Sequence, residues 1–367
     1  MMGLFDIDNV NTAPIKSTDW KWSFSDYPQE KNGLTVFSCF ACGGGSTMGY
    51  KLAGCDVLGC VEIDPKMNEM YVANHHPKYN YCMDIREFNA IPDSDIPPEL
   101  FNLDILDGSP PCSTFSMAGT REKGWGKKKQ FREGQAEQVL DELSFVFIET
   151  VAKLHPKTVI MENVEGLMLG SAYSYVLNIY RDFEKLGYRV KHWLLTGETM
   201  GVPQRRHRVV FVAVRNDIEF DLNSLSMNFN YSPVTYGEIK CGEQTPLAAD
   251  SKFYNIAKQA IDEDMCIADT RRRLGQKPSA FQTAYIRDDL VLPTMRSRPD
   301  WIDMNNLSHV SKESLRNSQT FPQDYKFIPN TYSTVGYICG MSVPPLMIQR
   351  VVTRLIESGL YDYRLSE

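Results

Sequence analysis

Two consecutive prolines, Pro110 and Pro111, follow the run Leu103-Asp104-Ile105-Leu106-Asp107-Gly108-Ser109. A proline ring fixes φ and removes an N–H, so neither helix nor sheet continues through such a pair. The apolar, β-branched first half of the run reads as a short buried strand. Cys112 therefore stands on a stiff turn at the carboxyl end of a strand, where open α/β sheets gather ligands and catalytic groups. A thiol held there, with Ser113, Thr114 and Ser116 behind it, serves as a nucleophile if a neighbour stabilises its thiolate. Otherwise it is an ordinary loop cysteine, and the rest of the chain decides.

The same design recurs along the chain. A strand from Leu34 enters Phe40-Ala41-Cys42-Gly43-Gly44-Gly45 and then a short helix ending near Leu52. Only glycine lets the main chain approach a ligand that closely. Met48 stands where a dinucleotide fingerprint has its third glycine. The strand Asp56-Val57-Leu58-Gly59-Cys60-Val61 ends in Glu62, Ile63 and Asp64. A carboxylate at the tip of a second strand accepts ribose hydroxyls, while Asp64-Pro65 reads as a helix cap, so Glu62 takes the ribose and Asp64 the cap. Asp84, with Ile85 after it, closes the third strand region, where a carboxylate suits an adenine amine. Glu162 and Asn163 end the strand at 158–164, and a carboxylate is costly to bury unless it is used or partnered. If the basic run after Pro203 is extended, Gln204, Arg206 and Arg208 share one face. Strand, turn and helix alternate as in an α/β fold with a doubly wound, mostly parallel sheet.

At 367 residues, one large domain and a smaller one are expected. Residues 34–215, completed by 331–367, read as the large catalytic and cofactor-binding domain; 216–330, with short segments and few apolar runs, read as a small irregular one. Residues 1–33 form a polar arm that carries Trp20, Trp22 and Phe24. The long polar loop 117–135 beside the Cys112 turn reads as a lid. A net charge of −7 argues against a basic coat but leaves room for a local basic cleft. Basic runs stand at Lys127-Lys128-Lys129 with Arg132, at Arg205–Arg208 and at Arg271-Arg272-Arg273. Nine cysteines without a repeated spacing fit a reducing compartment, and the lone pair Cys39/Cys42 does not make a metal site. With neither a signal pattern nor an apolar run of spanning length, the expectation is a soluble, cytoplasmic protein.

Taken in order, these segments resemble the DNA cytosine-5 methyltransferase family. The family's glycine-rich loop is similar to Phe40–Gly45, its ribose acid to Glu62, its third-strand acid to Asp84 and its Pro-Cys nucleophile to Pro111-Cys112. Its Glu-Asn-Val motif resembles Glu162-Asn163-Val164, its Gln-x-Arg-x-Arg motif Gln204-Arg206-Arg208, and its closing motif Gly340 to Pro344. Cys42 departs from a usual glycine, and Met341 from a usual asparagine. The resemblance implies a class I methyltransferase fold with S-adenosylmethionine as cofactor, leaving as S-adenosylhomocysteine. Phe40, Ala41, Gly43, Gly44, Gly45, Glu62, Ile63, Asp84, Ile85, Ser109, Pro111, Ser342 and Val343 would bind it. Cys112 would add to carbon 6 of a flipped-out cytosine, with Glu162 at N3 and Arg206 and Arg208 at the O2 side. Ser113, Ser116, Lys127, Lys128, Lys129, Arg132, Gln204 and Arg271 to Arg273 would meet duplex DNA. A monomer, with a cognate restriction enzyme as a possible partner, completes the expectation. Methylation of RNA, a catalytically silent DNA-binding protein and a dehydrogenase are the rival readings; Cys112, Glu162 and Arg206 count against the second, Met48 and the Pro-Cys turn against the third.

Overall fold

A computed structural model of the chain describes residues 13–111, 142–280 and 283–365. Its first half alternates strand and helix: β1 (Thr35–Cys39), α1 (Gly45–Leu52), β2 (Asp56–Val61), α2 (Pro65–His75), β3 (Tyr79–Tyr81), α3 (Ile85–Ala90), β4 (Ile105–Gly108), α4 (Leu143–Leu154), β5 (Thr158–Val164), α5 (Tyr173–Lys185) and β6 (Tyr188–Thr196). The two-residue β7 (Gln204–Arg205) and the long β8 (His207–Arg215) follow. Then come α6 (Tyr236–Ile239), β9 (Thr245–Pro246), α7 (Lys252–Ala257), α8 (Ile267–Arg273), β10 (Thr283–Ile286), β11 (Leu292–Pro293), β12 (Asp300–Asp303) and β13 (Ser308–His309). Helices α9 (Lys312–Ser318), α10 (Tyr332–Met341) and α11 (Pro345–Glu357) close the chain.

Seven strands form one sheet in the order β3-β2-β1-β4-β5-β8-β6. The first five are parallel, and β8 runs antiparallel between β5 and β6. Both faces of the parallel part are covered, which is why its strands read as apolar runs without clean alternation. Phe37, Leu106 and Met161 face one core with Phe88 of α3, Phe147 of α4 and Ile179 of α5. Val36, Ile105 and Ile160 face the other, against Tyr50 of α1 and Leu346, Val351 and Leu355 of α11. The closing helix thus returns to the large sheet.

Beyond β8 the elements are short. A four-stranded sheet, β10-β12-β13-β9, packs a small core of its own from Leu247, Ile256, Ile267, Tyr285 and Ile302. Between β10 and β12 the chain reaches back as β11, which pairs with β7, just ahead of β8, in a separate two-stranded sheet. The stretch Tyr332–Glu357 is apolar enough to cross a membrane by hydropathy, but it is broken at Ser342–Pro344 and 78% of its apolar window lies inside the fold. It reads as core packing. The described part of the amino-terminal arm lies on the body: Trp22 is buried and its indole N–H donates to the Thr320 carbonyl at 2.8 Å.

Candidate active site

Strand register builds the site. Cys39 is in register with both Val61 and Gly108, Val61 with Tyr81, and Gly108 with Met161. The carboxyl ends of β3, β2, β1 and β4 therefore fall on one line, where Phe40, Glu62 and Ser109 leave the sheet, and Glu162 stands one residue beyond Met161 in β5. At the end of β1 the chain turns through left-handed conformations at Phe40 (φ 58°), Cys42 (φ 49°) and Gly44 (φ 83°). Glycine is required here by close packing as well. A Cβ on Gly45 would stand 2.1 Å from the Val343 carbonyl oxygen, and one on Gly43 2.6 Å from the Ile338 side chain. The loop is thereby pressed against the junction of α10 and α11, which brings Ser342 and Val343 beside it.

His75 holds that loop, a role the sequence does not announce. Its Nε2 lies 3.1 Å from the Gly43 carbonyl, which also accepts from the Tyr325 hydroxyl at 2.7 Å. Burial first, and Lys51 next, push His75 down to about 3, so the ring is neutral and Nε2–H donates.

Three acids line the edge. The Glu62 carboxylate accepts from Cys42 N (2.7 Å) on one oxygen and Asp64 N (2.8 Å) on the other. Burial outweighs those two donors and pushes Glu62 up to about 7. Asp64 accepts from Lys66 N at 2.9 Å and caps α2. Asp84 caps α3, accepting from Arg86 N at 2.8 Å, with Arg86 Nη1 at 3.4 Å from its other oxygen. Ile63 is half-buried, whereas Ile85 is packed into the core under the sheet. Burial, with Glu62 next in weight, pushes the Cys42 thiol up to about 12, so it stays protonated.

The second half of the site comes from β5 and β8. Glu162 is in register with Val210, and Arg208, two residues earlier, lies on the same face. Arg208 Nε stands 2.6 Å from Glu162 Oε1, close enough for an ion pair but not aligned as a hydrogen bond, so that oxygen keeps acceptor capacity. Arg206 is buried and donates through Nη2 to the Ser342 carbonyl at 2.9 Å. Its Nε and Nη1 have no partner among the described residues. Burial, then Arg208, pushes this guanidinium down to about 9. Buried donors left unspent are expensive, and a ligand is the usual reason they persist. Asn163 Nδ2 lies 3.5 Å from the Pro110 carbonyl, beside the half-buried Ser109 and Pro111, and joins the proline turn to β5.

Asp107, inside β4, escaped the sequence reading. It accepts from Ser38 Oγ at 2.6 Å and Tyr50 Oη at 3.1 Å, and burial pushes it up to about 7, with Glu162 adding a smaller push. A carboxylate in β4, ahead of the proline turn, is thus tied to β1 and α1, the elements on either side of the glycine loop.

Gln204 and two of the arginines of α8, expected to meet DNA, make contacts within the protein. Gln204 is fully buried; its Nε2 donates to Gln319 Oε1 at 2.9 Å, and its Oε1 accepts from Met295 N at 2.9 Å. Both ends of its amide are spent inside the protein, Nε2 on Gln319 after α9 and Oε1 on Met295 in the strap after β11. In α8, Arg272 pairs with Asp269 at 2.9 Å and Arg273 with Asp264 at 2.8 Å, which leaves Arg271 as the member without an acidic partner among the described residues. The expected roles of Cys112, Ser113, Ser116, Lys127, Lys128, Lys129 and Arg132 lie outside the described residues.

A sequence model of the family described as C-5 cytosine-specific DNA methylase matches residues 34–357, which take in the glycine loop, Glu62, Glu162, Arg206, Arg208 and Ser342. The chain belongs to that family. The methylase is 25% identical over 356 residues to the Type II methyltransferase M1.HphI of Haemophilus parahaemolyticus, covering 92% of this chain and 90% of that one. It is 32% identical over 219 residues to M.Sau96I of Staphylococcus aureus, a match that spans 58% of this chain and 47% of the relative. Solved structures share its fold. An E. coli prophage-encoded protein described as a DNA modification methyltransferase superposes with a TM-score of 0.62 at 19% identity, covering 89% of this chain and 99% of that one. The Dnmt2 methyltransferase of S. pombe gives 0.57 at 14% identity, with coverages of 89% and 99%. The seven-stranded α/β architecture of the methylase is the class I methyltransferase fold, and the protein is a DNA (cytosine-5-)-methyltransferase.

Proposed function

We propose that the enzyme methylates carbon 5 of a cytosine turned out of duplex DNA, using S-adenosylmethionine, through a transient bond between Cys112 and carbon 6. The observation that carries this reading is the pair of unspent donors on buried Arg206, beside the Glu162–Arg208 pair and the proline turn before Cys112. Carbon 5 of cytosine is a weak nucleophile. Addition of the Cys112 thiolate to carbon 6 makes it an enamine carbon and sends electron density toward N3. Glu162 would hold a proton there, while Arg206 and Arg208 meet the O2 side and neutralise charge as it develops. Once carbon 5 carries the methyl group, loss of its proton to solvent water and expulsion of the Cys112 thiolate would restore the ring.

The residues present suit the cofactor. Each Glu62 oxygen accepts one N–H and keeps room for a second donor, which is the demand of a ribose diol. Gly43 to Gly45 form a buried turn without side chains, Asp84 and Ile63 would flank a base, and Ser342 and Val343 the methionine end. When bound, S-adenosylmethionine supplies an electrophilic methyl group on a sulfonium sulfur. Relatives described as Type II methyltransferases support a modification role; the enzyme would act as a monomer, with a restriction enzyme as its counterpart.

Glu62 makes cofactor affinity pH-dependent. Its folded value near 7 lies within the working range, and protonation removes the acceptors a diol needs. Affinity measured by calorimetry is expected to weaken by about tenfold from pH 8 to pH 6, since protonation competes with binding below that value. Glu62→Gln is expected to flatten the curve at the weaker level. The activity itself is tested by offering labelled cofactor with duplex DNA and with RNA. Label on carbon 5 of cytosine in DNA is the expected result; label on RNA alone, or on neither, would contradict the reading.

A further inference from the structure

The arginines around the site divide by what they touch. Arg208 is committed to Glu162, Arg272 to Asp269 and Arg273 to Asp264, and Arg316 binds the Gln323 side chain at 2.6 Å. Arg205, Arg296 and Arg298 have neither an acidic partner nor a side-chain hydrogen bond among the described residues, and all three are exposed. In a chain with 46 acidic against 39 basic residues, three neighbouring cations without an acid need a reason.

Their backbones are pinned together at the rim of the site. Pro293 of β11 is in register with Arg205 of β7, and the Thr294 hydroxyl donates to the Arg205 carbonyl. Met295 turns into the core and its N–H donates to Gln204 Oε1 at 2.9 Å. The next carbonyl, that of Arg296, lies so close over α10 that a Cβ on Gly340 would come within 2.1 Å of it. Two residues beyond Gly340 is Ser342, whose carbonyl receives Arg206. The strap 294–298 is thus clamped between β7 and the last turn of α10, next to the Arg206–Ser342 contact, while its guanidinium groups are left outside.

We propose that Arg296 and Arg298, with Arg205 beside them, grip backbone phosphates of the DNA that flanks the target base. A planar guanidinium suits phosphate oxygens, and a strap fixed on both sides spends little entropy in presenting it. Such contacts set the register of the duplex over the site and carry no base information. The assignment rests on duplex DNA being the substrate.

The test is the salt dependence of binding to a labelled duplex of mixed sequence, read as the slope of log affinity against log salt. Arg296→Ala/Arg298→Ala is expected to lower that slope by about 1 to 2 and to weaken binding at low salt, since each lost phosphate contact removes about 0.9 from it. The Arg296→Lys/Arg298→Lys protein, which keeps both charges, is expected to retain most of the slope, and Arg272→Ala to leave it unchanged. An unmoved slope in the alanine double variant, or an equal fall in Arg272→Ala, overturns the assignment. A wild-type protein with no salt dependence instead counts against DNA as the substrate, so the two failures are distinguishable.

Discussion

Cys112→Ala is expected to reduce methyl transfer to DNA by about 10⁴-fold or more, because the variant has no route that activates carbon 5 at low cost. Cofactor affinity is expected to stay within about threefold, a change of under one kcal/mol. The binding frame explains the split. The glycine loop is held by His75, Tyr325 and Val343, and Glu62 by the backbone of Cys42 and Asp64, none of which involves residue 112. Single-turnover transfer, measured beside calorimetric cofactor binding, checks both halves. Transfer at a near wild-type rate would remove Cys112 from the mechanism, whatever the fold.

Glu162→Gln is expected to cost about 10² to 10³ in the transfer rate, the range for a lost general acid. The glutamine keeps the shape of the side chain, so β5 and β8 should stay paired as they are. What it loses is the ability to give or hold a proton at N3 and the charge that Arg208 faces at 2.6 Å. Arg206 and Arg208 would then stand as neighbouring cations without a carboxylate between them. The loss should fall on the rate at saturating cofactor, with cofactor KM little changed, because no hydrogen bond or ion pair joins Glu162 to the glycine loop among the described residues. A rate loss confined to cofactor KM would place Glu162 in binding instead of chemistry.

Much of this site was legible because its residues act through short local patterns. The glycine turn after β1, the proline turn after β4 and the Glu-Asn-Val end of β5 each combine a strand with an abrupt stop, and such breaks survive in sequence without any partner. Asp64 was legible as a cap for the same reason: its acceptor serves an N–H two residues away. Contacts across long loops were not. His75 meets a carbonyl 32 residues upstream, and Asp107 takes its donors from Ser38 and Tyr50, 69 and 57 residues upstream.

Gln204 and the arginines of α8 show a different limit. Alternation along an extended run put Gln204 on the face of Arg206, yet a face shared with a functional arginine is also the face that packs against the strap. Its amide partners stand 91 and 115 residues downstream. For Arg272 the acid was in view, three residues earlier on the same helix. A run of cations is a candidate for DNA only after its local acids are subtracted, and that subtraction moves attention from α8 to the strap at 294–298.

The covalent step is tested most directly with duplex DNA in which 5-fluorocytosine replaces the target cytosine. Fluorine cannot leave carbon 5 as a cation, so the sulfur–carbon bond at carbon 6 has no way to break after transfer. Incubation with cofactor should therefore leave a protein–DNA adduct that survives denaturing electrophoresis, maps to Cys112, and is missing from Cys112→Ala. Free protein and free DNA, recovered from a wild-type enzyme that methylates ordinary cytosine in the same buffer, would contradict the account.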